Sequence, residues 1–435
     1  MRVAVLGGGI AGLMVARELA DAPENEIDVL ERDSRVGGLL RSVTAGGLEF
    51  DIGAFAFGHH HELLRGYPAL AERMVAVHAR QQAYTPAGSL DGYPLTLRGF
   101  VRDNGVLRTA VAGADLFWGR IRYRRRDTVP AFASFYMGAS LYRLSGLPDY
   151  MERLWGVPHD QLALQLNEQT LVRIRDYTLL KLLAAKVRTM TGAAGPRTML
   201  VRPPEGFDAV WDVVAHDLAA RGVSIRTGTE VQGVRRTDDG FEVRVDGAAR
   251  EYDAVVSTIP LPLMLRLLGE TPAARFESAS MLSLFYRGRM RPEAPFVYNF
   301  SRRGRWKRIT NFARFYAPED GMDWFTVEIT TRDTTPAALA ELRDEFEAHA
   351  RDLGMLDGLP ELLGQQVTER AYPVFRVGDP ARVEAERRRV AAMGVALAGR
   401  QGRFEYQSSA LAAVQARSVG RGLRAVDTPR AGAGA

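Results

Sequence analysis

Cysteine is absent from this chain of 435 residues, and lysine occurs only at Lys181, Lys186 and Lys307. Without cysteine the protein has no disulfides, no thiolate nucleophile and no cysteine-bound metal. No apolar run approaches the roughly 20 residues that a transmembrane helix needs, and the N-terminus lacks the pattern of a secretory leader. We therefore expect a cytoplasmic protein with no membrane partner.

Because lysine is so scarce, arginine supplies nearly all of the positive charge, and the formal net charge is +5 with a pI of about 9.5. The densest basic run covers residues 120–126. Such a run is typical of a solvated helix face or loop, and an anionic partner is the alternative. Since no nucleic-acid-binding module surrounds it, we expect no nucleic acid as a partner.

A glycine-rich loop follows the first apolar segment and precedes an amphipathic helix pattern. Gly7 permits the tight turn, Gly9 lets the backbone approach a pyrophosphate, and Gly12 brings helix and strand close together. Glu31 ends the next apolar segment, at the position where an acidic side chain binds a ribose hydroxyl. This order of strand, loop, helix, strand and acid predicts a dinucleotide site, in which Ile10 and Ala11 belong to the same loop.

Along the rest of the chain, the spacing of apolar residues alternates between strand and helix patterns. This predicts an α/β protein with a Rossmann-like nucleotide-binding domain, a mainly helical insertion and a second domain built on an antiparallel sheet. We predict these boundaries: residues 1–83, 201–265 and 386–425 form the nucleotide-binding domain, 84–200 the helical cap, 266–385 the antiparallel-sheet substrate domain, and 426–435 a disordered tail. Near the far end, an apolar segment meets Gly399 and a helix pattern follows from Ser409, so both ends of the chain are expected to meet on one cofactor.

The order of these motifs resembles the superfamily of FAD-dependent amine oxidases, protoporphyrinogen-oxidase-like enzymes and nucleoside-diphosphate-sugar mutases. The resemblance rests on the glycine loop with its acid, on residues 36–42, 50–53, 202–231 and 253–260, and on residues 399–416. It implies FAD as the cofactor. The cofactor-binding residues that it implies are Gly7, Gly9, Ile10, Ala11, Gly12, Glu31, Arg32, Gly37, Gly38, Leu39, Arg41, Val231, Gly399 and Arg400.

Within this superfamily, the C-terminal motif is similar to that of the UDP-galactopyranose mutases, which carry a Gly-Arg pair and then an aromatic residue two positions before a tyrosine. Here these are Gly399-Arg400 and Phe404-Glu405-Tyr406. The resemblance implies a site in which arginines hold a diphosphate and tyrosines contact the sugar. The residues that would fill these roles are Arg173, Arg175, Arg308 and Arg400 for the diphosphate, and Tyr372 and Tyr406 for the sugar.

Two positions depart from the mutase pattern: Phe55 replaces a histidine beside the flavin, and Ser408 replaces an aspartate after the final tyrosine. The leading hypothesis is a flavin-dependent mutase that interconverts pyranose and furanose forms of a nucleotide sugar through an adduct at flavin N5. The alternative is an FAD-dependent oxidoreductase that removes a hydride from an amine or from a C–C bond. A non-catalytic protein on the same fold is a third class, which the intact glycine loops disfavour.

Three adjacent histidines, His59, His60 and His61, invite a metal interpretation. Adjacent side chains point in different directions, so at most two could share an ion, and we predict no metal site. Trp155, Trp211 and Trp306 are interpreted as core residues. We expect a small-molecule partner, a nucleotide sugar, and consider a homodimer as the assembly.

Overall fold

The computed structural model describes residues 1–78, 80–93, 96–123, 128–164, 198–318 and 320–427. Its strands are β1 Arg2–Leu6, β2 Glu26–Leu30, β3 Ser42–Ala45, β4 Leu48–Asp51, β5 Val75–His78, β6 Gln81–Tyr84, β7 Leu90–Gly92, β8 Thr198–Val201, β9 Ser224–Arg226, β10 Val231–Arg236, β11 Phe241–Val245, β12 Ala248–Tyr252, β13 Ala254–Ser257, β14 Glu277–Met290, β15 Phe296–Asn299, β16 Trp306–Asn311, β17 Asp323–Thr331, β18 Leu356–Val374 and β19 Ala396–Leu397. Its helices are α1 Ile10–Leu19, α2 Glu62–Gly66, α3 Ala69–Arg73, α4 Leu97–Arg122, α5 Val129–Met137, α6 Ala139–Leu144, α7 Leu147–Trp155, a 3-10 turn His159–Gln161, α8 Asp208–Ala220, α9 Leu261–Leu267, α10 Ala313–Tyr316, α11 Pro336–Asp352, α12 Asp379–Ala392, α13 Gly399–Gly402 and α14 Ser409–Asp427.

A parallel five-stranded sheet lies at the centre of the nucleotide-binding part, with the strand order β19-β13-β1-β2-β9. Val3 pairs with Ile27 on one side and with Ala254 on the other, and the apolar side chains of β1 are fully buried. The carboxyl ends of all five strands therefore meet at one edge, where ligands bind in open α/β sheets. The prediction of a Rossmann-like domain is confirmed.

The second sheet has seven strands in the order β18-β14-β17-β16-β15-β6-β7. Its pairings are antiparallel except for β15 with β6, which is parallel. Every residue of β17 is buried, because its neighbours cover it on both edges and other elements pack on both faces. The predicted antiparallel sheet is confirmed. The alternating pattern of residues 308–314 predicts a strand over this whole segment, but its end forms the start of α10 at Ala313–Tyr316.

This sheet extends beyond its predicted boundaries. Strands β6 and β7 belong to it, so the boundary proposed at residue 83 cuts through the sheet. The 19-residue strand β18 was not predicted. It contains Gly358, Pro360 and Gly364, which argue against a strand on sequence alone. Register irregularities in its pairing with β14 accommodate them.

The predicted helical region contains α4 to α7. Apolar residues at three- and four-residue spacing over 130–155 predict helices, and this range corresponds to α5, α6 and α7. Strand β8 begins within this range, at Thr198, and pairs with β5. The same spacing predicts a helix over 176–187, and this segment lies outside the described residues. At the C-terminus, α14 continues to Asp427, two residues into the predicted tail, and residues 428–435 lie outside the described part. Within the described ranges, no helix has both the length and the hydrophobicity to traverse a membrane.

Candidate functional site

The first glycine loop lies at the carboxyl end of β1 and leads into α1. Gly7 has a φ of +102°, a conformation that suits glycine, and a Cβ atom there would crowd the hydroxyl of Thr258. A Cβ atom at Gly12 would overlap the carbonyl oxygen of Gly7. Helix α1 therefore begins directly against the strand end, and its first backbone N–H groups face the edge of the sheet. Ala11 is buried and Ile10 is half-buried at this helix start.

The second glycine loop crosses the first. The backbone N–H of Gly37 donates to the carbonyl of Gly8 at 2.8 Å, and a Cβ atom at Gly37 would overlap the indole of Trp211. A Cβ atom added to Gly38 would lie 3.0 Å from the Cα of Gly9. The two loops thus present bare backbone to each other and to the sheet edge, which leaves space for a pyrophosphate to approach.

Glu31 ends β2 at the same edge of the sheet. Its carboxylate accepts hydrogen bonds from the backbone N–H of Gly8 at 2.6 Å and of Asp33 at 2.8 Å. The carbonyl of Glu31 accepts from the N–H of Thr229 at 2.9 Å, which brings the half-buried Val231, at the start of β10, to this side of the sheet. An acid held at this place suits a ribose diol.

The arginines of this region have structural partners. Arg41 donates to the carbonyl of Gly38 at 2.7 Å and to the carboxylate of Asp33 at 2.9 Å, so it fastens the second glycine loop. Arg32 has a side chain that is 70% exposed and lies 3.8 Å from Asp33. Leu39 is half-buried between these residues. The side chain of Arg32 is therefore mostly accessible to solvent.

The C-terminal junction closes the nucleotide site. Gly399 has a φ of +77° and follows β19, and a Cβ atom there would crowd the Cβ of Ala11 at 2.5 Å. Its N–H donates to the side chain of Gln415 at 3.0 Å. The far end of the chain therefore contacts the first helix. These glycine contacts and the placement of Glu31 fit a bound FAD, which would run from Glu31 across both glycine loops toward Gly399.

A polar cluster on the antiparallel sheet lies beside this junction, and its first component is an ion pair. Arg308 on β16 forms two parallel hydrogen bonds with the carboxylate of Glu328 on β17, at 2.7 and 2.9 Å. Glu328 is fully buried. Burial alone would raise the pKa of this carboxyl, but the charges of Arg308 and Lys307 hold the pKa below its ordinary value. Glu328 is therefore ionised at neutral pH.

Lys307 is the second component, and sequence reasoning missed it. Its side chain is 1% exposed, its Nζ donates to the hydroxyl of Tyr372 at 2.9 Å, and it lies 3.5 Å from Glu328. Neighbouring residues of a strand normally point to opposite faces, but a register irregularity between Trp306 and Arg308 lets Lys307 and Arg308 both reach Glu328. Burial lowers the pKa of Lys307 to about 8, against the opposing effect of Glu328.

Arg400 joins the cluster to the nucleotide domain. Its guanidinium donates to the carbonyl of Gln407 at 2.9 Å and to that of Ala371 at 3.2 Å. Its Cζ atom lies 5.6 Å from the ring centre of Tyr372 and 5.4 Å from that of Tyr406, within the range of cation–π contacts. The candidate substrate residues Arg400, Tyr372 and Tyr406 therefore meet in one place, beside Lys307 and Arg308.

Aromatic side chains cover this cluster. The rings of Tyr372 and Tyr406 are 6.0 Å apart, and Trp155 from α7 lies edge-on to Tyr406 at 5.6 Å. Tyr406 keeps part of its surface accessible, whereas Trp155 is fully buried. Among the described residues, its indole Nε1 is a buried donor with no hydrogen-bond partner.

Four further positions were singled out from the sequence. Arg173 and Arg175 lie outside the described residues. Phe55 packs edge-on against Phe207 at 5.4 Å, and Ser408 accepts a hydrogen bond from the N–H of Leu411 at 3.3 Å, at the start of α14.

The three histidines also have separate surroundings. His59 contacts Thr198 at 3.1 Å and His61 contacts Ser409 at 3.1 Å, while His60 is exposed. In the described ranges, no group of three or more His, Asp or Glu side chains could hold a metal ion.

Charges at the cluster do not cancel. Arg308 and Glu328 neutralise each other, and Lys307 adds a second cation to the same carboxylate. The hydrogen-bond partners of Arg400 are uncharged carbonyls. The site therefore carries net positive charge next to aromatic rings, a combination that suits a ligand with an apolar body and an anionic group.

Family comparisons agree with this architecture. Residues 5–69 match the family of NAD(P)-binding Rossmann-like domains, and residues 112–291 match the family of flavin-containing amine oxidoreductases. Human protoporphyrinogen oxidase is 26% identical over 329 residues, which is 66% of this chain and 67% of that protein. The bovine enzyme is 26% identical over 335 residues, covering 67% of this chain and 68% of that protein.

Solved structures share the fold over almost the whole chain. A putative protoporphyrinogen oxidase from Exiguobacterium sp. 255-15 has a TM-score of 0.74 at 16% identity, covering 98% of this chain and 99% of that chain. Reduced UDP-galactopyranose mutase has a TM-score of 0.76 at 15% identity, covering 98% and 94%. The amine-oxidoreductase match covers residues 112–291, and these structures share the fold over nearly the whole chain. The comparisons support FAD as the cofactor. This confirms the resemblance predicted from the motifs.

Proposed function

We propose that this enzyme dehydrogenates a substrate with a cyclic apolar body and an anionic group, and that Lys307 and Tyr372 handle the proton that the substrate loses. The observation that carries the proposal is the hydrogen bond of 2.9 Å between Lys307 and Tyr372. Burial lowers the pKa of this same lysine to about 8. A group that titrates near neutral pH is suited to general acid–base catalysis.

When bound, FAD supplies a two-electron acceptor that takes a hydride from the substrate. The substrate must then release a proton, and the neutral amine of Lys307 accepts it through the Tyr372 hydroxyl. Lys307 itself is buried, so it acts as a positioning residue and proton store, whereas Tyr406 has accessible surface and contacts the substrate. Glu328 keeps Lys307 and Arg308 in place and offsets part of their charge.

The substrate class follows from the charge of the site. An amine substrate carries positive charge at neutral pH, and Lys307 and Arg400 would repel it. A carboxylate or phosphate would be attracted, and the accessible ring of Tyr406, packed against the buried rings of Tyr372 and Trp155, suits a flat apolar body. The relatives at 26% identity are named protoporphyrinogen oxidases, so protoporphyrinogen is the first substrate to test.

A flavin-dependent mutase acting on a nucleotide sugar is the second candidate. The net positive charge at Arg400 and Lys307 favours it, because a diphosphate is strongly anionic. Against it, the guanidinium of Arg308 is engaged by Glu328 and that of Arg400 by backbone carbonyls. A diphosphate would have to displace these partners, so the geometry favours dehydrogenation.

One experiment separates the two candidates. The purified FAD-loaded protein is mixed without oxygen with protoporphyrinogen, with other cyclic carboxylates and with primary amines, and the visible spectrum of the flavin is followed. Bleaching by a carboxylate substrate, and none by amines, is the expected result. In parallel, dithionite-reduced protein is incubated with UDP-galactopyranose. Interconversion of pyranose and furanose there, with no bleaching by any donor, would overturn the dehydrogenation proposal in favour of the mutase.

A further inference from the structure

Helix α4 carries an exposed apolar face that the site does not use. Among the described residues, seven of the eleven large apolar side chains that are exposed lie on this helix. Their exposed fractions run from 54% to 78%. They are Leu97, Val106, Leu107, Val111, Phe117, Trp118 and Ile121. Such a concentration on one element is uncommon for a surface exposed only to water.

The helix has two faces along the part that follows Gly105, where the backbone departs from helical geometry. The inner face packs on α5 and α6: Ala112 and Gly119 are buried, and the carboxylate of Asp115 accepts from the N–H of Ser140 at 2.7 Å. The outer face begins at Val106 and repeats every three or four residues, which places its members on one side of an α-helix. The outer face consists of Val106, Leu107, Ala110, Val111, Ala114, Phe117, Trp118 and Ile121.

Arginine lines this outer face. Arg108, Arg120 and Arg122 are exposed and flank the apolar side chains, while Asp115, the acidic residue of this stretch, is turned inward toward α6. The sequence adds three further arginines directly after Tyr123. Apolar residues that include Trp and Phe, bordered by basic side chains, are characteristic of helices that lie in the membrane interface.

We propose that the outer face of α4 docks the enzyme on the surface of an anionic lipid bilayer. The helix would lie parallel to the surface, with Phe117 and Trp118 inserted at the level of the headgroups and the arginines against lipid phosphates. A second copy of this chain fits less well. A two-fold contact would bring like-charged arginine borders together, and no acidic side chain of the outer face is present to pair with them.

The test uses the full-length FAD-loaded enzyme and vesicle flotation. We expect binding to vesicles that contain phosphatidylglycerol, at least tenfold weaker binding to pure phosphatidylcholine vesicles, and loss of binding in the variant Phe117→Ser/Trp118→Ser. A variant Arg120→Gln/Arg122→Gln should lose the preference for anionic lipid. The matched control is Leu359→Ser, since Leu359 is 78% exposed on β18 and its replacement should leave binding unchanged.

The same protein preparations are also used to check that each variant folds and whether the protein forms dimers. The flavin spectrum and the thermal midpoint of each variant show whether it folds and holds FAD, and the replaced side chains are exposed enough that both should be retained. Equal flotation of Phe117→Ser/Trp118→Ser and the parent would overturn the proposal. So would a dimer in sedimentation that this variant abolishes, with no vesicle binding by the parent, because the outer face would then serve a second copy.

Discussion

The ammonium group of Lys307 lies 4.1 Å from the ring centre of Tyr372 and donates a hydrogen bond of 2.9 Å to the hydroxyl of the same residue. One cation thus contacts both the face and the polar end of one tyrosine, although β17 and β14 lie between their strands in the sheet. Burial disfavours the charged form of Lys307, and it raises the pKa of Tyr372 to about 12, so this hydroxyl stays protonated at neutral pH. The same two residues are thus packed within the sheet and proposed to handle the proton of the substrate.

Replacement of Lys307 by Met should slow flavin reduction by roughly 10²-fold, because the proton acceptor is lost while the apolar volume is kept. With a pKa of about 8, the parent should react faster as pH rises through 8, since the neutral amine is the active form. The variant should lack this rise. The measurement is anaerobic stopped-flow reduction between pH 6 and 10.

Lys307→Arg serves as the control for charge, because arginine keeps the positive charge but does not deprotonate. It should lose the pH dependence as fully as the methionine variant. An unchanged pH profile in both variants would exclude Lys307 from proton handling, whatever the size of the rate.

Replacement of Glu328 by Gln should destabilise the protein by about 3–5 kcal/mol, the typical result when one partner of a buried ion pair is removed. The buried Lys307 and the half-buried Arg308 would then lack their carboxylate. Denaturant unfolding at neutral pH measures this. The matched control is Glu242→Gln, which breaks the exposed pair with Arg235 and should change stability little. Equal effects of the two substitutions would contradict the role given to Glu328.

Substitutions in the first glycine loop should distinguish a loss of folding from a loss of cofactor binding. A Cβ atom at Gly12 overlaps the carbonyl of Gly7, so Gly12→Ala should impair folding. At Gly9 the nearest atom to an added Cβ is the Cα of Gly38 at 3.6 Å, an ordinary contact. Gly9→Ala should therefore fold, yet bind FAD at least tenfold more weakly, because the methyl group would occupy the space that the pyrophosphate needs.

Isothermal titration of the apoprotein with FAD and thermal unfolding measure the two effects. Gly113→Ala is the control, since an added Cβ there meets no atom within 4 Å. Full FAD affinity in Gly9→Ala would show that the pyrophosphate does not pass this point.

The parts that sequence predicts well are those whose conformation is local. Gly7, Gly12 and Gly399 could be recognised because a turn or a close helix–strand contact requires glycine wherever it occurs. Glu31 followed from its distance to the loop. An Asp-Gly pair at residues 239–240 likewise predicts the turn of a hairpin, and the structure has this hairpin between β10 and β11.

The parts that sequence missed depend on distant partners. Lys307 reaches Glu328 only because β16 contains an irregularity in its pairing with β17, and no local pattern records such a feature. Arg308 was assigned to a diphosphate because its partner, twenty residues away on another strand, could not be identified before the register was known. The apolar face of α4 was overlooked because the arginine run 120–126 dominates the local composition.

The buried His61 should make the stability of the protein depend on pH. It caps α2 by accepting a hydrogen bond from the N–H of Leu63 at 3.1 Å and contacts Ser409 of α14 at 3.1 Å. Burial lowers the pKa of His61 from 6.5 to about 4, against a weaker opposing effect of Glu62. In the folded protein His61 is therefore neutral over most of the acid range.

Proton linkage fixes the direction in which the stability changes with pH. Between pH 6.5 and 4 the unfolded chain binds a proton at this histidine and the folded chain does not, so stability falls as pH decreases through this window. The loss should reach about 2–3 kcal/mol near pH 4. His61→Asn keeps an acceptor for the cap and has no group that titrates, so it should show a shallower decline over the same range. Denaturant unfolding at several pH values between 4 and 7 measures how steeply the stability of the parent and of His61→Asn falls with pH. The exposed His60→Asn is the control and should behave like the parent. Equal slopes in the parent and both variants would contradict the role of His61, because the acid sensitivity would then arise elsewhere.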